Sequence, residues 1–156
     1  EKTMRVLVTG GLGFIGSNFI INMLNRNPDY KIINLDAKLE GANTKNLCTI
    51  RKNKNYRFVH GNITNQKIVN KLVSECDVVF HFAAQSHVDR SIDNPRPFID
   101  SNIIGAYTIL ESIRKYKKKL IEVAMLAIWE VNIEPIFRIE ILTTHNCHHD
   151  KATSFL

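Results

Sequence analysis

Three glycines near the beginning of the chain have the spacing of a phosphate-binding loop. Gly10, Gly13 and Gly16 recur at every third position in the stretch TGGLGFIGS, which from Gly11 onward also matches the pattern G-x-G-x-x-G. Glycine permits a tight turn, a close approach of the backbone to a pyrophosphate and close packing of a helix on a strand. A helix that begins here would direct its free amides and its positive dipole toward the phosphate. The motif alone is weak evidence, because many glycine-rich turns bind nothing.

An aspartate follows at the distance that a dinucleotide site requires. Asp36 ends the apolar run KIINLD and lies about 20 residues after Gly16, the spacing at which a carboxylate meets the ribose hydroxyls of a dinucleotide. The aspartate and the glycines together predict dinucleotide binding. They also predict NAD rather than NADP, because a carboxylate repels a phosphate at the 2′ position, although Lys38 would weaken that repulsion.

A third group of hydrogen-bonding side chains follows the apolar run DVVF, in the stretch HFAAQSHVDRS at residues 81–91. If that run is a buried strand, these residues lie at the carboxyl edge of a sheet, where open α/β folds bind their ligands. For Asp89 and Arg90 we expect a structural role, in which they close the loop. For Ser86 we expect a position close to a ligand.

The elements that must position these residues alternate between strands and helices. The runs MRVLVTG, KIINLD, YRFVHGN and DVVFHFA are apolar almost throughout, which is typical of strands buried on both faces of a parallel sheet. Apolar residues at helical spacing follow Phe14, surround Val69 and continue through FIDSNIIGAYTILESI. Thr64 or Asn65 is the expected N-cap of the second of these helices. The alternation predicts an α/β fold with a Rossmann-type, doubly wound parallel sheet.

The composition is that of a soluble globular protein of 156 residues, 44% apolar and 23% charged. This length fits one domain, or one domain and part of a second. No apolar run is long enough for a membrane helix and no signal peptide opens the chain, so no membrane contact is expected. The three scattered cysteines favour a reducing, cytoplasmic location over a disulfide framework. Much of the net charge of +6 lies in lysine-rich tracts typical of solvated element ends, and no nucleic-acid partner is expected.

The two motif stretches resemble one known enzyme family. VTGGLGFIGSNF resembles the extended short-chain dehydrogenase/reductase family, and HFAAQSHVDRSIDNPRPFIDSNIIGAYTILESIRK resembles the nucleotide-sugar dehydratases within it. The resemblance runs from about Met4 to Lys115. It implies an NAD-dependent lyase whose substrate is a nucleotide sugar, dTDP-glucose, converted to its 4-keto-6-deoxy product. A non-catalytic dinucleotide-binding module, and a nucleotide-sugar epimerase or decarboxylase of the same family, remain as alternatives.

The resemblance also assigns residues to the cofactor and to the substrate. Phe14 and Ile15 are expected at the pyrophosphate, and the stretch from Asp36 to Leu39 is expected at the adenine ribose. Ser86 is the residue assigned to the substrate. The full set assigned to the cofactor is Gly10, Gly13, Phe14, Ile15, Gly16, Asp36, Ala37, Lys38, Leu39, Asn62, Ile63, Phe82, Ala83, Ala84, Gln85 and Ser101.

Two of these positions depart from the pattern of the family. Asn62, which with Ile63 would border the adenine, stands where the family usually has aspartate. Its carbonyl oxygen is still expected to accept from the adenine amino group. Gln85, expected near the nicotinamide, stands where many relatives have glutamate, so an acceptor is kept and a charge is lost.

The catalytic groups of the family are not recognisable in this chain. In the family, a fifth strand ends in Thr-Asp-Glu and a later helix carries Tyr-x-x-x-Lys, and neither pattern occurs here. Instead, LIEVAMLAIWE occupies the position of the fifth strand and places Ala124, Met125 and Leu126 where polar catalytic groups are expected. The catalytic residues are therefore unknown, and the chain as written is expected to be inactive.

We therefore divide the chain into an NAD-binding Rossmann-type domain, residues 1–120, and an unaligned C-terminal segment, residues 121–156. That segment is expected to hold a fifth strand and then a disordered or altered tail, so the fold is truncated or altered after the fourth strand and the following helix. Its cluster of histidines with Cys147 has metal-binding side chains, but adjacent residues rarely converge on one ion, and no metal site is expected. Relatives in the family pair through helices, which implies a homodimer.

Overall fold

A computed structural model describes residues 3–123 of the chain. Its centre is a sheet of parallel strands in the order β3-β2-β1-β4-β5. The strands are β1 Arg5–Thr9, β2 Lys31–Asp36, β3 Tyr56–His60, β4 Val78–His81 and β5 Lys119–Val123. This architecture confirms the predicted Rossmann-type parallel sheet, and each of the first four strands lies within the apolar run that predicted it.

The helices connect these strands across the two faces of the sheet. They are α1 Phe14–Arg26, α2 Gln66–Glu75, α3 Val88–Asp93, α4 Arg96–Phe98 and α5 Ala106–Tyr116, with a 3₁₀ segment at Thr44–Ile50 and a π-helical segment at Ile99–Gly105. Asn65 is the N-cap of α2, since its side-chain oxygen accepts from the amides of Lys67 and Ile68. This settles the choice between Thr64 and Asn65.

The predicted long helix is present, but it is not uniform. Helical backbone runs from α4 through the π-helical segment into α5, and the widened turn lies where the helix meets the loop after β3. A Cβ at Gly105 would stand 2.3 Å from Cδ1 of Ile63, so the two backbones approach closely there. The short helix α3 was not predicted, because VDRSID has neither a strong apolar stripe nor good helix formers.

The core lies on both faces of the sheet, because successive side chains of a strand point in opposite directions. One cluster joins β1 and β2 to α2 and α5 and contains Leu7, Leu35, Val69, Val73 and Ile109. The cluster on the other face joins the sheet to α1 and contains Val6, Val8, Ile20, Leu24 and Ile32. All of these side chains are buried. Two cores of this kind hold the carboxyl ends of the central strands rigidly in place.

The fifth strand extends the sheet beyond β4. Lys119–Val123 pairs in parallel with β4, with an irregularity in register between Val79 and Phe80. This strand crosses the position between residues 120 and 121 at which we divided the chain. Residues 124–156, which include Ala124 to Leu126 and the histidine-rich cluster, lie outside the described residues. Within residues 3–123, no helix has the length and apolar character needed to cross a membrane.

Candidate functional site

A cleft opens at the carboxyl ends of β1 and β4, where the order of the strands reverses. From β1 the chain proceeds to β2 on one side, whereas β4 lies on the other side of β1, with Thr9 directly opposite His81. The connections that leave these two strands diverge, and a cleft of about 380 Å³ lies between them. Ligands of open α/β sheets bind at such a switch point.

The cleft is lined by nearly all of the residues that the sequence predicted for cofactor and substrate. Those residues are Gly10, Gly13, Phe14, Ile15, Gly16, Asp36, Ala37, Leu39, Asn62, Ile63, Phe82, Ala83, Ala84, Gln85, Ser86 and Ser101. Lys38 is not among the lining residues, because its backbone has a positive φ of 54° and its ammonium group lies 5.1 Å from the ring centroid of Phe58. Lining residues that the sequence did not predict include Glu40, Gly61 and His87.

Two of the glycines are required by the packing of the backbone around them. Gly10 has a φ of 70°, and a Cβ there would stand 2.6 Å from the backbone of Ala83. A Cβ at Gly16 would stand 2.5 Å from the carbonyl oxygen of Gly10. A Cβ at Gly13 would meet the same oxygen at 3.3 Å, a contact that a small shift relieves. The loop is therefore a cradle whose floor is bare backbone, the surface that a pyrophosphate needs.

The amides at the start of this loop point into the protein and are already paired. The Gly11 amide donates to Asn34 Oδ1 at 3.1 Å, and the Leu12 amide donates to Asp36 Oδ2 at 3.0 Å. The Gly13 amide donates to the Gly10 carbonyl at 3.1 Å. The amides without a partner inside the helix are those of its first turn, Phe14, Ile15 and Gly16. No side chain caps this helix end. These three amides, with the positive end of the helix dipole, suit an anionic group.

Asp36 is fixed beside this cradle by two backbone amides. Its Oδ2 accepts from Leu12 and its Oδ1 accepts from Lys38 at 2.7 Å, and only 8% of the residue is exposed. Each carboxylate oxygen has a second lone pair that can accept from a hydroxyl. The carboxylate is thus held rigidly at the edge of the cleft, and hydroxyl groups are the partners that suit it.

The side-chain oxygen of Asn62, expected to accept from an adenine amino group, already has partners within the chain. Its side-chain oxygen accepts from the amide and the hydroxyl of Thr64, both at 3.0 Å, and forms a local turn. An amide oxygen has two lone pairs, so these two bonds occupy it. The side-chain Nδ2 of Asn62 is therefore the group that remains for a hydrogen bond to a ligand.

A buried pair, Thr9 and His81, lies at the ends of the two central strands. Thr9 Oγ1 is 2.6 Å from His81 Nδ1, and neither residue is more than 4% exposed. Burial lowers the pKa of His81 to about 4, so the ring is neutral at physiological pH. The Thr9 oxygen also accepts from the Ala83 amide at 3.4 Å. The pair ties together the two strand ends from which the cleft opens.

Sequence reasoning missed the role of Asn102. Its Oδ1 accepts from the Gln85 amide at 2.8 Å, and its Nδ2 donates to the Gln85 carbonyl at 2.9 Å. The side chain thereby holds the backbone of the loop after β4 in the way a neighbouring strand would. Asn102 lies in the π-helical segment, and an asparagine in the middle of a helix is an unfavourable choice that could have signalled such a contact.

Arg90 forms a link across the mouth of the cleft. It pairs with Glu40, which belongs to the loop after β2, so the link joins that loop to α3, which follows β4. We expected Arg90 to close its own loop together with Asp89, whereas its ion-pair partner is Glu40, in the loop after β2. The two side chains are 48% and 64% exposed, and an exposed pair of this kind contributes less than about 1 kcal/mol.

Comparison with known proteins identifies relatives of this region. Residues 7–126 match the model of the family described as GDP-mannose 4,6 dehydratase. The chain is 44% identical over 117 residues to a dTDP-glucose 4,6-dehydratase of Mycobacterium tuberculosis, an alignment that spans 75% of this chain and 35% of the relative. The chain thus spans about a third of the length of such relatives.

Solved structures of proteins with related names are also similar to this chain. The dTDP-glucose 4,6-dehydratase of Bacillus anthracis in complex with NAD superposes with a TM-score of 0.67 and 41% identity, over 76% of this chain and 36% of that one. The UDP-glucose 4-epimerase of Thermotoga maritima, solved with UDP-glucose, superposes with a TM-score of 0.65 and 34% identity, over 74% of this chain and 36% of that one.

Proposed function

Because this chain belongs to the GDP-mannose 4,6 dehydratase family, within the extended short-chain dehydrogenases/reductases, we propose that its cleft binds NAD for the dehydration of a nucleotide sugar. The observation that carries this proposal is the set of three unpaired amides at the start of α1, placed next to the buried carboxylate of Asp36. An anion site beside a fixed hydroxyl acceptor suits the pyrophosphate and ribose of a dinucleotide.

Different residues of the cleft would bind different parts of NAD. Phe14 and Ile15 would bind the pyrophosphate through their amides, and Asp36 would accept from the adenine ribose. Asn62 and Ile63 border the cleft where the adenine would lie. The other predicted cofactor residues that line the cleft complete its walls. Lys38, which does not line the cleft, would contribute through the backbone amide that it donates to Asp36.

For the substrate, we propose dTDP-glucose, which would be converted to its 4-keto-6-deoxy product. The support is the 44% identity to a dTDP-glucose 4,6-dehydratase over 117 residues, together with the family match over residues 7–126, which include the glycine loop and the loop after β4. NAD would supply hydride transfer in this reaction. Ser86 is exposed at the end of the cleft beyond Gln85, where it could hydrogen-bond a sugar.

We also propose that residues 1–120 and 121–156 are separate in role, with the cofactor domain in the first part. A homodimer is proposed through the helical stretch from α4 to α5, on its exposed apolar residues Ile103 and Tyr107. A cytoplasmic location is proposed from the cysteines. Among the described residues, Cys48 and Cys76 are free thiols, and burial raises the pKa of Cys76 to about 11, which keeps that thiol unreactive.

The experiment that tests the proposal is calorimetric titration of the 156-residue chain with NAD and with NADP. Two like charges about 4 Å apart repel by about 1–4 kcal/mol, so NADP is expected to bind at least about fivefold more weakly than NAD. In Asp36→Asn this preference should shrink. Asp29→Asn, at the opposite end of β2, is the matched control and should keep it. Tighter binding of NADP by the unaltered chain would contradict the proposal.

A further inference from the structure

Asn34 lies on β2 beneath the glycine loop and is not among the residues that line the cleft. Its side chain is completely buried, and both ends of its amide group are paired. Oδ1 accepts from the Gly11 amide at 3.1 Å, and Nδ2 donates to the Tyr56 hydroxyl at 3.0 Å. A backbone amide can only donate, so the oxygen must face the loop, and the Tyr56 hydroxyl, which can donate or accept, pairs with the Nδ2 that is left.

The loop rests directly on this side chain. A Cβ at Gly11 would stand 2.3 Å from Asn34 Oδ1 and 2.5 Å from Cδ1 of Ile20, so no side chain fits between the loop and the sheet. Asn34 and Asp36 are two residues apart on β2 and therefore lie on the same face. They accept from the consecutive amides of Gly11 and Leu12. The direction in which the loop leaves the sheet is thus set by two side chains of the neighbouring strand.

We propose that Asn34 is a positioning residue for the cofactor. By turning the Gly11 amide into the sheet, it directs the first turn of α1 so that the amides of Phe14, Ile15 and Gly16 face the cleft. Without an acceptor at position 34, the Gly11 amide would be buried and unpaired, and the loop would have to turn to find another partner. This inference rests on the proposed function, because the amides are positioned for the pyrophosphate of NAD.

The test compares ligands that do and do not carry the pyrophosphate. Asn34→Leu removes the acceptor and keeps a side chain of similar shape. Its affinity for NAD is expected to fall by about 5- to 150-fold, the cost of one unpaired buried amide, while its affinity for adenosine, measured by NMR titration, stays unchanged. Tyr56→Phe is the matched control. It loses the outer hydrogen bond of Asn34 and leaves the Gly11 bond in place, so its NAD affinity should change by less than about threefold.

Hydrogen exchange on the unaltered chain gives a second readout, which does not depend on the folding of Asn34→Leu. The Gly11 amide is expected to exchange slowly without NAD, whereas the amides of Phe14 to Gly16 become protected only when NAD is added. Fast exchange at Gly11, unchanged NAD affinity in Asn34→Leu, or equal losses for NAD and adenosine would each overturn the positioning role. Failure of the unaltered chain to bind NAD, with Gly11 still protected, would instead overturn the proposed function.

Discussion

The glycines of the β1–α1 loop differ, at the scale of single residues, in what surrounds them. A Cβ at Gly16 would collide with the loop's own backbone, at 2.5 Å from the Gly10 oxygen and 2.9 Å from the Gly11 Cα. Gly13 has a φ of −70°, which any residue can adopt, and a Cβ there would have a contact of 3.3 Å. Gly16 is therefore needed for the fold of the loop, whereas Gly13 is not, and the role proposed for Gly13 is to keep space for a ligand.

Gly13→Val is accordingly expected to leave the domain folded and to abolish NAD binding. The valine methyl groups would occupy the approach of the pyrophosphate to the start of α1. Thermal unfolding by circular dichroism and calorimetric titration with NAD give the two readouts. Gly16→Val is the comparison, and it should lower the melting temperature as well. An unchanged NAD affinity in Gly13→Val would show that the loop is only a turn.

His81 is expected to make the stability of the protein depend on pH. Burial lowers its pKa to about 4 in the folded state, against an ordinary value of 6.5. Below pH 6.5 the unfolded chain binds a proton that the folded chain does not, so stability is full above pH 6.5 and falls between there and pH 4. A shift of this size corresponds to about 3 kcal/mol at most.

Urea unfolding at a series of pH values between 7 and 4 measures this loss. His81→Gln keeps hydrogen-bonding groups near Thr9 and has no charge to gain, so its stability should fall less steeply over the same range. If both proteins show the same slope, other groups account for the pH dependence.

At the scale of elements, the helix from α4 to α5 has two faces with different surroundings. Its inner face buries Ser101, Gly105 and Ile109, and these contacts form one wall of the cleft and part of the core. Ile103 and Tyr107 lie four residues apart on the helix and are 61% and 62% exposed. Side chains at this spacing form one stripe, and an exposed apolar stripe suits a partner surface.

Ile103→Lys is therefore expected to shift the proposed dimer to monomer, because a charge on the stripe would have to be buried in the pair. Sedimentation velocity at several protein concentrations measures the change. Leu39→Lys is the matched control, since Leu39 is also apolar and 47% exposed but lies at the cleft. A chain that is monomeric before any substitution, or a dimer that withstands Ile103→Lys, would contradict the proposed pairing.

At the scale of the whole molecule, cofactor binding and turnover are expected to separate. The residues proposed for NAD all lie before Lys115, whereas the Thr-Asp-Glu and Tyr-x-x-x-Lys patterns of the family are absent from the sequence. General acid and base groups contribute about 10²–10⁴-fold each, so the loss of several puts turnover below detection. Incubation with NAD and dTDP-glucose, followed by the alkali-induced absorbance of a keto sugar, is the assay. Clear product would mean that unrecognised residues supply the catalytic groups.

The sequence by itself determined the strands, the main helices and the cradle of the site. Continuous apolar runs predict buried strands and helical spacing predicts helices, because both patterns depend on residues close together in the chain. The glycine spacing and Asp36 carried the dinucleotide prediction for the same reason, since their geometry is fixed by one βαβ unit. In the structure these residues line one cleft, as that unit requires.

Only the tertiary structure decided which side chains hold the site in place. Asn34 meets Gly11 across 23 positions of sequence, and Asn102 meets Gln85 across 17. No local pattern identifies the partner in such a pair, because the partner depends on how neighbouring strands and helices are packed. The same reason explains Arg90, which pairs with Glu40 in the loop after β2. Local periodicity determines the helices and strands. The contacts between these elements determine which hydrogen-bond partners fix the loops around the cleft.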